Sequence, residues 1–103
     1  MNEDFIENTK ILDLDNELEL EITSFIWGNR CNLIINCIDT LSKCNFWFSV
    51  FNNNGYSSKS GDFNFKVLKE QNETKEQKDK IKIIAKLRRA KSGYLSCVNA
   101  RLI

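Results

Sequence analysis

The sequence predicts a small α+β domain: an antiparallel β-sheet of four or five strands, connected as a meander, with one C-terminal amphipathic helix. Three observations carry this expectation. The stretch Asn45-Phe46-Trp47-Phe48-Ser49-Val50-Phe51-Asn52 is apolar on both parities, as a strand covered on both faces requires. Before it, Leu18, Leu20 and Ile22 alternate with Glu17, Glu19 and Glu21, the period-two signature of a half-solvated strand. After it, Ile83, Ile84, Leu87, Ala90 and Tyr94 fall on one side of a helical wheel, and Lys78, Lys82, Lys86 and Arg89 on the roughly opposite side.

At the N-terminus, Asp4-Phe5-Ile6-Glu7 has the form of a capping box, predicting a short helix at about 5–9 within an N-terminal segment, 1–16, that is either helical or loosely attached. The strand from Glu17 gains aromatics on its outward parity, Phe25 and Trp27, and Gly28-Asn29 supplies turn chemistry. Leu33 to Ile38 is a second strand, Asp39 to Lys43 a polar connection, and Phe46 to Phe51 the third strand. Asn52 to Gly61 is rich in turn formers, and Phe63, Phe65 and Val67 then alternate with polar residues as a fourth strand.

Residues 73–91 admit two readings. High helix propensity, Asn72 as a cap and Gly93 beyond the last turn favour a helix. The alternation of Ile81, Ile83, Ala85 and Leu87 with Lys80, Lys82, Lys86 and Arg88 instead describes a strand over 80–91, with Lys91-Ser92-Gly93 as a hairpin turn. That alternative makes the fold an all-β sandwich or barrel. Residues 94–102 read as a last strand in either case.

A chain of 103 residues suits a single domain spanning 1–103. An acidic start, Met1-Asn2-Glu3-Asp4, and apolar runs far too short to span a bilayer point to a cytoplasmic protein with no membrane partner. With no histidine in the sequence, Ser-His-Asp and Cys-His chemistry is excluded. The spacing of Cys31, Cys37, Cys44 and Cys97 fits no zinc motif, so reduced, partly buried thiols are expected. No phosphate-binding glycine loop and no calcium-loop spacing occurs. The expectation is therefore a protein that is not an enzyme and uses neither metal nor cofactor.

The net charge is only +1, yet it is unevenly placed. Residues 1–21 carry eight acids against Lys10, and residues 78–101 carry eight bases against Asp79. Such asymmetry predicts either internal charge complementarity or a partner-binding face.

Phe25, Trp27, Trp47 and Phe51 fall on the parity opposite to the evident core residues, and a sheet with one helix covers only one face. The second face needs cover from the N-terminal segment, from a second copy of the chain as a homodimer, or from a protein target. These observations lead to a small protein-binding inhibitor, such as a phage or mobile-element inhibitor of a host defence nuclease or nuclease complex, or an immunity protein against a toxin. It would anchor through Phe25, Trp27, Trp47 and Phe51 and present Glu17, Glu19 and Glu21 as a nucleic-acid mimic. The alternative is a small nucleic-acid-binding or accessory protein using Lys78, Lys82, Lys86 and Arg89.

Overall fold

The computed structural model describes residues 2–27, 32–51, 59–60, 63–64 and 81–103. Among these residues, one helix, α1 (Asn2–Thr9), precedes seven strands: β1 (Leu18–Trp27), β2 (Asn32–Asp39), β3 (Asn45–Phe51), β4 (Lys59–Ser60), β5 (Phe63–Asn64), β6 (Lys82–Arg89) and β7 (Leu95–Leu102). Five of these strands close a barrel in the order β1-β2-β3-β7-β6, while β4 and β5 form a separate two-stranded sheet. β1, β2 and β3 form the antiparallel meander that the alternation predicts. β6 then returns to lie antiparallel beside β1, which makes β6-β1-β2-β3 a Greek key. β7 pairs with β6 and meets β3 in parallel at Ser49↔Ser96, completing the closure.

The C-terminal helix is thus corrected over its second half: Lys82–Arg89 is a strand, and the all-β barrel is the architecture. Residues 73–80, including Lys78, lie outside the described residues. Ile83, Ala85 and Leu87 point inward and are buried, whereas Lys82 and Arg88 are exposed, which is the two-residue period. Local helix propensity loses because closure gives β6 ladders on both sides, Leu18↔Ala85 toward β1 and Ala85↔Ala100 toward β7. Of the expected fourth strand, Phe63–Asn64 is a strand, and Phe65 and Val67 lie outside the described residues.

The interior is filled by Leu18, Leu20, Ile22, Leu33, Ile35, Phe46, Phe48, Val50, Ile83, Leu87 and Leu95, contributed by all five barrel strands. A five-stranded barrel is narrow enough for side chains to pack it solid. α1 docks on the barrel beside the β2–β3 and β6–β7 turns. Asn8 Nδ2 donates to the Asn45 carbonyl at 2.8 Å, and the Arg89 guanidinium donates to the Gly93 carbonyl at 2.7 Å and to Thr9 Oγ1 at 3.0 Å. Thr9 is fully buried and Leu12 joins the core, so residues 9–12 are held by packing as well as by hydrogen bonds.

The turn between β6 and β7 is closed by reciprocal backbone bonds, Ala90 N–H to the Tyr94 carbonyl and Gly93 N–H to the Ala90 carbonyl, both 2.9 Å. Gly93 has φ of 91° and is buried, so a Cβ there meets the steric penalty of the left-handed region. Gly93→Ala is expected to lower the unfolding free energy by about 1–2 kcal/mol, read as a lower urea midpoint at an unchanged slope. An unchanged midpoint would show that the turn relaxes without cost.

Candidate functional site

The outward residues of the barrel form rows that can be traced from the register. One row runs Ile26–Ile34–Ser49–Ser96–Arg88 through all five barrel strands. The next runs Ser24–Asn36–Trp47. Where the rows cross from β3 to β7, the two strands share the Ser49↔Ser96 pair and then separate. A groove of about 370 Å³ opens there. Ile34, Trp47 and Ser49 form one side, and Arg88, Tyr94 and Ser96 line the other together with the β6–β7 turn. Its floor is pinned by Ser49 Oγ donating to the Leu95 carbonyl at 3.3 Å.

Trp47 is the half-buried centre of an aromatic cluster. Its ring centroid lies 5.0 Å from Tyr94 and 4.9 Å from Phe5, and Phe5 lies 5.4 Å from Tyr94. These separations and tilts are those of attractive ring pairs. The helix therefore covers part of Trp47 through Phe5, Tyr94 packs on it as well, and Trp47 also lines the groove. For this ring, cover comes from the N-terminal segment.

Phe25 has a different destination. The β1–β2 register shifts between Ile22 and Ser24, a β-bulge that inserts Thr23 and reverses the parity of the strand beyond it. Phe25 consequently pairs with buried Ile35 and packs against the core, on the same side as Leu18, Leu20 and Ile22. Trp27 pairs through its backbone with Leu33, and Phe51 with Asn32; their side chains lie outside the described residues. Ile26 is the residue the bulge turns outward, at 62% exposure.

The acidic row Glu17, Glu19 and Glu21 faces outward beside the basic strand β6, with Arg101 of β7 one strand beyond. Glu17 meets Arg101 at 3.9 Å, Glu21 is the cross-strand neighbour of Lys82, and Lys86 Nζ donates to the Leu14 carbonyl at 2.7 Å. The exposed Glu17–Arg101 pair adds at most about 1 kcal/mol. Strand parity divides the basic residues: Lys82 and Lys86 lie on the outer face, while Arg89 falls on the inward parity at the barrel end and holds α1. The four cations of the predicted stripe are not brought together as one described surface.

Two thiols lie near the β2–β3 turn, Cys37 on β2 and Cys44 just before β3. Cys37 is buried, and its Sγ contacts the Phe46 carbonyl at 3.7 Å. Burial, reinforced by Cys44 and Asp39, pushes the Cys37 thiol far above its ordinary value; desolvation and Asp39 raise Cys44 as well. Neither position favours the thiolate that alkylating agents attack. Native protein at pH 8 is expected to alkylate far more slowly at Cys37 than urea-unfolded protein, as read by peptide mass spectrometry; equal rates would contradict the buried placement. The same shift has a stability consequence. Its contribution is fully present below the ordinary thiol value of 9.0, because both folded and unfolded chains are then protonated. As pH rises past that value the unfolded chain ionises first, and stability falls by up to about 1.4 kcal/mol per pH unit.

Sequence reasoning singles out Trp47 but not Arg88, Ile34 or Ser49, and it assigns Tyr94 to a helix face. The available signal was the strand reading of 80–91, which makes Lys91-Ser92-Gly93 a hairpin turn and sets Tyr94 beside it. Among the described residues no group of three or more His, Cys, Asp or Glu side chains converges as a metal site, and no helix is long and apolar enough to cross a membrane.

Comparison with protein-family models, curated proteins and solved structures finds no match for this chain.

Proposed function

We propose that this protein is a non-enzymatic, cytoplasmic binding module whose ligand is single-stranded nucleic acid, taken up across the outer face of β2 and β3. One observation carries the reading: Trp47, Tyr94 and Arg88 all line the groove between β3 and β7. Aromatic faces stack on any base, and a neighbouring cation meets the phosphate that accompanies it. The architecture supports the same reading, because five-stranded Greek-key barrels of the oligonucleotide/oligosaccharide-binding type use the face of their second and third strands. Architecture alone does not fix function, so the weight rests on the three side chains.

Fluorescence anisotropy with labelled 12-nucleotide DNA and RNA tests it. Single strands are expected to bind in preference to duplex, with an affinity that falls modestly as salt rises. The slope should be near −0.7 per phosphate neutralised, and few are expected because the net charge is +1. Absence of single-strand binding at low salt would sink the reading.

A second reading keeps the protein inhibitor, and the observation favouring it is the outward row of Glu19 and Glu21 on β1 with Glu17 just before it. A nuclease with a basic cleft would then be inhibited by the wild type, and the double variant Glu19→Lys/Glu21→Lys would lose that inhibition. Loss of inhibition with oligonucleotide binding intact would assign the acidic row its own partner.

A further inference from the structure

We propose that the β1 bulge builds a base-reading subsite next to the Trp47 groove, so that one nucleotide stacks on Trp47 and its neighbour is read by the Asn36 carboxamide. The inference rests on the proposed binding of single-stranded nucleic acid and adds to it a second binding position and a specificity.

A second cavity, of about 570 Å³, lies over the place where the β1–β2 ladder opens at the bulge. Trp47 lines both this cavity and the groove, so the two are neighbours across one indole. The bulge leaves two consecutive hydroxyl side chains, Thr23 and Ser24, exposed together, where regular alternation would turn one of them inward. Asn36 and Asn45 complete the polar rim, and buried Cys37 and Phe46 form the floor. The two cavities differ in chemistry. The groove offers aromatic rings and a cation; the bulge cavity offers neutral donors and acceptors without a charged side chain in its lining.

That difference matters for what each can discriminate. Stacking is tolerant of base identity, so selectivity has to come from hydrogen-bonding groups. Asn36 Nδ2 donates to Ser24 Oγ at 3.1 Å, which fixes the orientation of the carboxamide and leaves its carbonyl and its second N–H for a ligand. One donor beside one acceptor complements the N6/N7 edge of adenine, which asparagine reads in bidentate fashion. Thymine presents the reverse order, an O4 acceptor beside an N3–H donor, and cytosine offers the matching pair at N4/N3 on its pairing edge, so the contrast the fixed carboxamide sets is adenine against thymine. The bulge thereby becomes a device for selectivity: it frees the hydroxyl that holds the reading group in place.

The test compares binding of dA, dC and dT 12-mers by wild type, Asn36→Ala and Ser24→Ala, with circular dichroism to confirm the fold of each. Wild type is expected to prefer dA over dT roughly tenfold, toward the lower end of what one bidentate amide–adenine pair supplies. Asn36→Ala should erase the preference by lowering dA affinity to the level of dT. Ser24→Ala should reduce the preference in part, because the amide loses its tether. Equal binding of all three oligomers by wild type overturns the subsite and leaves the nucleic-acid reading standing, as does a preference that survives Asn36→Ala. Failure of wild type to bind any oligomer overturns the nucleic-acid reading itself, and the subsite with it.

Discussion

Phe48→Ala is expected to cost about 3–5 kcal/mol, the range for emptying a fully buried phenylalanine site in a packed core. Phe48 sits at the middle of β3, opposite Ile35, with no exposed surface, and its ring packs 6.4 Å from that of Phe46. Among the described residues it is the largest fully buried side chain. A narrow barrel has little freedom to collapse into the space, because inward residues from all five strands meet there and the closed barrel surrounds them. Domains of this size are stable by only about 5–15 kcal/mol, so the substitution removes a large share of the total. Thermal melts followed by circular dichroism should show a midpoint lowered by at least about 12 °C, taking about 4 °C per kcal/mol as the smaller conversion. Phe48→Leu should recover most of the loss. A Phe48→Ala shift of only a few degrees would mean that the barrel interior is not the continuous core described.

The same residue shows how far the sequence can be read. Its strand, its neighbours Phe46 and Val50, and the alternation of Leu18, Leu20 and Ile22 are local patterns, and the structure buries all six. What could not be read locally is closure. Leu18 pairs with Ala85 and Ser49 with Ser96, contacts between segments far apart in the chain that no window of ten or twenty residues reveals. Closure also decides between the two periods offered by Ile83-Ile84-Ala85-Lys86-Leu87, since a strand flanked by two ladders satisfies its backbone without helical hydrogen bonds. Parity failed at a different point. Counting by twos from Leu18 sends Phe25 outward, but the inserted residue at Thr23 reverses the count. The polar pair Thr23-Ser24 amid apolar alternation is the sequence trace of that bulge. It also accounts for the candidate site: Trp47 is visible as an aromatic on the second face, whereas Tyr94 and Arg88 join it only once β3 and β7 meet.

Trp47→Ala separates the roles that meet at this ring. Base–aromatic stacking is worth about 1–3 kcal/mol per base, so its loss should weaken single-strand binding by roughly 5- to 150-fold. Because Trp47 lines both cavities, the loss should extend to every base, unlike the base-selective effect expected at Asn36. The ring also supports α1 through Phe5, which makes a stability loss unavoidable and a simple affinity measurement ambiguous. Phe5→Ala resolves this. It removes the helix-side contact while keeping the indole, so it should reduce stability without the uniform affinity loss. If Trp47→Ala and Phe5→Ala lower both stability and affinity in the same proportion, the indole is a buttress for the helix and the groove is not where bases stack. If only Trp47→Ala abolishes binding, the indole surface that Phe5 and Tyr94 leave uncovered is the ligand surface, and the helix acts by holding the ring in place.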